Sequence, residues 1–207
     1  SHTQNLDYFV RLRAESIYGC YDQTEETITV HPVPDPSFAL SDLAGCTPFE
    51  LEITNQSEGA TTHHWSFGDG TFSSESLTPL THTYTLEPDN DMQVIDIQLF
   101  VGNDYGCADS LTHQLSLYPQ IVSTFEASVL DGCHPLTVEF NNLSEGATAY
   151  ANYFWNYGDG FESNTAQGQH SHTFLNQSYT DPVTYTVELQ AMNANACSDV
   201  HTLNITV

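Results

Sequence analysis

The chain writes Trp65-Ser66-Phe67-Gly68-Asp69-Gly70 and, 90 residues later, Trp155-Asn156-Tyr157-Gly158-Asp159-Gly160. The same marks surround both copies in the same order. Gly45-Cys46 and Gly132-Cys133 precede the tryptophans, and His82-Thr83-Tyr84 and His172-Thr173-Phe174 follow them. Cys107-Ala108-Asp109 and Cys197-Ser198-Asp199 close each copy, 42 residues after its tryptophan. Solenoid repeats run to roughly 20–50 residues, so self-similarity at this longer period marks whole domains. An array of like domains points to reach, display or adhesion rather than to a single active site.

The repeat also divides the chain. Tyr8, Val10, Leu12 and Ala14 align with Ile95, Ile97, Leu99 and Val101, and with Tyr185, Val187, Leu189 and Ala191. Gly19-Cys20-Tyr21-Asp22 repeats the closing mark. Residues 1–33 therefore read as the last strands of a domain that starts upstream, followed by full domains at 34–119 and 120–207. Ser1-His2-Thr3 reads as the remnant of a His-Thr-aromatic mark. On this reading the sequence is a piece of a longer protein. The alternative is a true N-terminus of unpaired strands, whose edges would invite pairing with other chains.

The five cysteines take their assignment from the repeat. Its spacing pairs Cys46 with Cys107 and Cys133 with Cys197, and leaves Cys20 without its upstream partner. Each bond would close a loop of about 60 residues, worth about 4 kcal/mol in chain entropy. The alternative is five free thiols buried as small core residues. Disulfides place the chain in an oxidising compartment, outside the cell. Charge narrows the partners: lysine is absent, arginine occurs only at Arg11 and Arg13, and the net charge is −25. Nucleic acid and anionic lipid both demand a cationic face, so neither fits. Divalent cations and neutral or cationic glycans do. Only 14% of residues are charged, and Thr, Ser, Asn and Gln supply most of the polarity, which suits a secreted β-rich domain better than an acidic disordered tail. No apolar run reaches the length of a membrane span.

Phe49–Ile53, Leu136–Phe140, Tyr185–Leu189, Ile28–Val30, Leu115–Leu117 and Leu203–Val207 alternate apolar and polar residues, the pattern of strands with one buried face. No segment shows a helical apolar stripe. About seven short strands per repeat, with a tryptophan between two cysteines, predict an all-β chain of tandem Ig-like sandwiches. Trp65 with Phe67, and Trp155 with Tyr157, should fill the two cores. Gly68-Asp69-Gly70 and Gly158-Asp159-Gly160 should be tight turns, with glycine supplying positive φ and the Asp carboxylate bonding turn amides. A metal-binding or catalytic carboxylate is the competing reading. His82 and His172 fit as braces of these turns. His63-His64 reads as a strand-edge pair. No Gly-X-Ser-X-Gly, His-Glu-X-X-His, Walker loop or Cys-X-X-Cys occurs, and the chain reads as non-catalytic.

Trp-X-aromatic-Gly-Asp-Gly, then His-Thr-aromatic, then an alternating strand into Asn-X-X-Gly-Cys, resembles the polycystic kidney disease (PKD) domain. The resemblance covers 34–119 and 120–207 and the tail at 1–33. Departures are Trp155-Asn156-Tyr157 for the common Trp-Asp-Phe, Ala196 for the glycine before the closing cysteine, and three extra residues before Trp155. The paired cysteines resemble PKD arrays in large secreted adhesins and gliding-associated surface proteins of the Bacteroidota. The resemblance implies a rod-like spacer or adhesive array at the cell surface, its partners being neighbouring repeats and surface glycans or proteins. An accessory glycan- or protein-binding module of a secreted hydrolase, or a subunit of an extracellular filament or surface layer, are the alternatives. Short joints at Tyr118-Pro119-Gln120-Ile121 and Pro32–Pro36 favour limited bending. By resemblance to calcium-binding PKD domains, Ca²⁺ would take Asn55, Asp69 and Asn103 in one copy and Asn142, Asp159 and Asn193 in the other. The alternative is that all six cap turns.

Overall fold

A computed structural model describes residues 4–75, 79–87, 91–146, 151–164, 168–178 and 180–207. Ser1-His2-Thr3 lies outside them. Every regular element among the described residues is a strand. The chain forms two compact units. One comprises Ser1–Leu43, Glu50–His82 and Val94–Leu115, and the other Ala44–Phe49, Thr83–Gln93 and Ser116–Val207.

The period-two segments become strands because each has one apolar face to bury. The first two, β1 (Leu6–Glu15) and β2 (Tyr21–Val30), pair as an antiparallel hairpin in register from Leu6↔Val30 to Glu15↔Tyr21. Tyr8, Val10, Leu12 and Ile28 are exposed on it, although the aligned Val187, Leu189 and Ala191 are fully buried. The hairpin thus carries a core-type sequence with no sheet of the described residues packed over it. Both arginines sit here in ion pairs, Arg11 with Glu25 and Arg13 with Glu15. At this exposure such pairs contribute little.

The next repeat builds one sheet from β3 (Phe38–Leu40), β5 (Phe49–Asn55) and β8 (Leu80–Tyr84), in the order β3-β5-β8. Its second sheet is β4-β10-β9-β6-β7, using β4 (Ala44–Cys46), β6 (Thr62–Ser66), β7 (Phe72–Ser73), β9 (Gln93–Gly102) and β10 (Ala108–Tyr118). The three-residue β4 pairs parallel with the end of β10, Ala44↔Ser116 through Cys46↔Tyr118. The last repeat has sheets β11-β12-β15 and β14-β13-β16-β17. Their strands are β11 (Phe125–Ala127), β12 (Leu136–Asn142), β13 (Asn152–Asn156), β14 (Glu162–Ser163), β15 (Gln169–Phe174), β16 (Thr184–Met192) and β17 (Ser198–Thr206). Phe125, Val138, Phe140 and Phe174 from the first of these sheets meet Tyr153, Trp155, Val187, Leu189, Ala191 and Ile205 from the second in one buried core. Trp65, Phe67, Trp155 and Tyr157 are all buried, as the alternation requires. This is an Ig-like β-sandwich, two sheets closed over their inner faces.

The cysteines depart from the expected pairing. Cys46 bonds Cys197, with Cα atoms 5.7 Å apart, and Cys20, Cys107 and Cys133 are free. The physical reason lies in the length of the closing strands. Cys46 lies beside Tyr118 at one end of β10, and Cys107 precedes Ala108 at the other. At the ~3.3 Å rise per strand residue these ends are some 36 Å apart. Likewise Gly132 N–H donates to Thr206 O (3.1 Å), which puts Cys133 beside the last residue of β17, whereas Cys197 precedes its first. A disulfide spans Cα atoms of roughly 4.4–6.8 Å, so neither Cys46–Cys107 nor Cys133–Cys197 can form.

Candidate functional site

The duplicated chemistry gathers at two turns of each repeat. The first is Gly-Asp-Gly. Gly68 and Gly158 have φ of +81° and +75°, and a Cβ on either would come within 2.6 Å of the Asp96 carbonyl oxygen or 2.5 Å of that of Thr186. Only glycine satisfies both demands. Asp69 Oδ1 accepts from Thr71 N (2.9 Å) and Thr71 Oγ1 (2.5 Å), and Oδ2 pairs with His82 Nε2 at 2.7 Å. In the second copy Asp159 Oδ1 accepts from Phe161 N (3.1 Å), and Oδ2 again meets His172 Nε2 at 2.7 Å. Each imidazole stacks on the core aromatic before the turn, His82 on Phe67 at 4.1 Å and His172 on Tyr157 at 4.0 Å. The histidines brace the turns. Burial opposes ionisation of Asp69, but the hydrogen bonds from Thr71 and His82 outweigh it and hold the carboxyl below its ordinary range.

The second turn joins β9 to β10 and β16 to β17. Asn103 Oδ1 accepts from the amides of Tyr105 and Cys107, both at 3.1 Å. Asn193 Oδ1 accepts from Asn195 and Cys197, both at 3.0 Å. The other end of each side chain reaches the joint before its own repeat: Asn103 Nδ2 donates to Pro32 O (2.9 Å) and Asn193 Nδ2 to Pro119 O (3.0 Å). One asparagine therefore fixes both a hairpin turn and the chain segment entering the sandwich. Tyr105 adds a ring stacked on His31, with centroids 3.9 Å apart. The β1–β2 turn has the same backbone: Ser16 N donates to Cys20 O (2.8 Å) as Asn103 N does to Cys107 O (3.0 Å) and Asn193 N to Cys197 O (2.9 Å).

The six proposed calcium ligands do not converge. Gly68 lies against Asp96, and Asn103 is seven residues further along the same strand direction, which separates Asp69 from Asn103 by ~20 Å. The same holds for Asp159, beside Thr186, and Asn193. Asn55 and Asn142 spend their oxygens on the amides of Ser57 and Ser144, each at 3.0 Å. This is the turn-capping alternative, and it replaces the single-ion sets. No cluster of three or more His, Cys, Asp or Glu side chains among the described residues could hold a metal. His63 and His64 lie on β6, with His64 stacked on Phe72.

Sequence reasoning found the braced turns through their duplication. It missed the proline clamp, although the signal was present: Asn103 and Asn193 each stand four residues before a closing cysteine.

Residues 118–207 match the PKD domain family. This part of the chain is a PKD domain. No curated protein matches. Among solved structures, the fibronectin(III)-like modules of Clostridium thermocellum CbhA are 10% identical, over 83% of this chain and 94% of that one, with a TM-score of 0.38. The protocadherin GammaB4 extracellular domain is 14% identical, over 97% of this chain and 37% of that one, with a TM-score of 0.33. The amphioxus IgVJ-C2 molecule is 12% identical, over 79% and 99%, with a TM-score of 0.32. Within the PKD domain the Trp155–Gly160 segment forms the braced turn, and the Asn193–Cys197 turn holds the joint. No helix among the described residues is long and apolar enough to cross a membrane.

Proposed function

We propose that this chain is a non-catalytic segment of tandem PKD-type repeats in an extracellular surface protein, serving as a rod-like spacer and adhesive array in cell-surface adhesion or gliding-type motility. The observation that carries the reading is how both repeats use their ionisable side chains. Asp69 with His82, and Asp159 with His172, sit at the same 2.7 Å in both copies and hold turns. The hydroxyl that touches the first pair, Thr71, is replaced by Phe161 in the second, so no nucleophile is duplicated with the pair. A bonded Cys46–Cys197 supports an oxidising location. The partners on this reading are neighbouring repeats and surface glycans or proteins.

Two measurements test it. Antibody to the chain should label unpermeabilised cells of the source organism, and the label should disappear on protease shaving. Label only after permeabilisation refutes the surface location. Small-angle scattering should give an extended particle; a folded-back pair refutes the spacer role.

A further inference from the structure

The one disulfide runs between different repeats, and between non-equivalent positions in them. Cys46 and Cys133 are the opening cysteines, each after a glycine, and Cys107 and Cys197 are the closing ones. The bond joins the opening cysteine of one repeat to the closing cysteine of the next. The surroundings explain the choice. Cys46 is paired with Tyr118, the residue before Pro119. Asn193 holds the Pro119 carbonyl with its amide group and the Cys197 amide with its oxygen. The clamp on the joint therefore delivers the closing cysteine to the end of the preceding strand, where the opening cysteine lies.

Both halves of this arrangement recur with free thiols. Asn103 holds the Pro32 carbonyl and the Cys107 amide in the same way, and Cys107 is free. Asp131 pairs parallel with Thr206 as Ala44 does with Ser116, so Cys133 lies beside the end of β17 as Cys46 does beside the end of β10, and it too is free. Cys20 ends a turn with the same backbone bonds as Cys107 and is exposed.

We propose that these thiols are halves of a disulfide ladder in which every opening cysteine bonds the closing cysteine of the following repeat. The partner is a further copy of this repeat: Cys133 takes the closing cysteine of a following one, and Cys107 the opening cysteine of a preceding one whose strand lies along Thr29–His31. The inference rests on the array reading above and gives that array its joint. Each rung forms by thiol–disulfide exchange with a small disulfide oxidant such as glutathione disulfide. One thiolate attacks the oxidant and expels a thiolate, giving a mixed disulfide. The second cysteine thiolate attacks the protein sulfur and expels the other half. Two protons leave the cysteines, two electrons reach the oxidant, and one sulfur–sulfur bond is transferred to the protein.

The experiment is non-reducing peptide mapping, after thiol alkylation, of the 207-residue chain and of the same chain carrying a second copy of residues 118–207 after Val207, a copy that keeps the Pro119 carbonyl of the clamp and carries Cys133→Ser and Ser198→Thr so that its peptides differ in mass from the originals. The shorter chain should show Cys46–Cys197 and alkylated Cys20, Cys107 and Cys133. The longer one should add a bond from Cys133 to the appended copy's closing cysteine, and Cys133→Ser in the original repeat should abolish that bond alone. An alkylated Cys133 in the longer chain, or a Cys133–Cys197 bond, overturns the ladder. Cys46→Ser in the shorter chain is the check independent of the fusion: Cys197 should become alkylated, and its capture by Cys133 also overturns the proposal. Covalent dimers of the shorter chain joined from Cys133 to Cys20 or Cys107 would identify a second molecule as the source of the partner repeat; their absence, with the bond present in the longer chain, identifies the same chain. The bond map is read on purified protein, so failure of surface labelling leaves it standing, and failure of the ladder leaves the surface reading standing.

Discussion

Asp69 shows what a charged side chain costs and returns at a turn. Its carboxyl is held below the ordinary carboxylate range when folded, so the unfolded chain binds its proton more readily. The resulting stabilisation is complete above about pH 4, the unfolded value, and is lost as pH falls through the folded value. Asp69→Ala is expected to cost about 1 kcal/mol at neutral pH and to flatten the acid limb of a stability–pH curve followed by urea unfolding. His170 works in the neutral range. It packs edge-on to Trp155 at 4.4 Å, and burial pushes its pKa down, against a pull from the Gly168 backbone and with a further push from His172. A depressed histidine contributes stability that is present above about pH 6.5 and lost as pH falls through the folded value. The first repeat has Leu80 at this position. His170→Leu should therefore remove the loss of stability just below pH 6.5, read as a thermal midpoint that no longer drops between neutral and mildly acidic buffer. Ala196 has φ +63° where Gly106 has +81°. Ala196→Gly should raise stability by about 1 kcal/mol by relieving left-handed strain, measured as a shift in urea midpoint at unchanged slope.

At the scale of elements, the long strands were legible because burial on one face enforces a two-residue period, as at Leu51 and Ile53 or Val187 and Leu189. The hairpin β1–β2 was legible by alignment and by the alternation at Ile28–Val30, although no burial enforces that pattern in the structure. The three-residue β4 was not legible, because a parallel pairing this short leaves no periodic trace. That omission caused the cysteine error. Equal spacing from the tryptophans shows that Cys46 and Cys133 are equivalent, and says nothing of which cysteine each one meets. The calcium sets failed for a related reason: residues equivalent in two copies need not be neighbours in one. The asparagine turns offer a sharper test of element-scale cohesion. Asn193 is 2% exposed and serves two amides and a proline carbonyl. Asn193→Ala strands those groups and should cost about 2–3 kcal/mol, whereas the more exposed Asn103→Ala should cost less. Denaturant unfolding of the two variants side by side checks the order.

Across the whole molecule the Cys46–Cys197 bond spans 151 residues. A cross-link closing a loop this long removes unfolded-state entropy worth about 5 kcal/mol, against about 4 for either loop of the expected pairing. Cys46→Ser should therefore lower the thermal midpoint strongly, and reduction of the parent protein should lower it to the same value. Matching midpoints for the variant and the reduced protein would confirm that this bond is responsible; a variant as stable as the oxidised parent would refute it. The span also sets an order of events. Cys46 emerges 151 residues before Cys197 from any machine that delivers the chain from its N-terminus. In between, Cys107 arrives first and is the wrong partner, held off only if the long β9–β10 hairpin has already carried it to the far end of its sheet. Correct pairing is thus a matter of timing, in which a strand must finish forming before a thiol finds its neighbour.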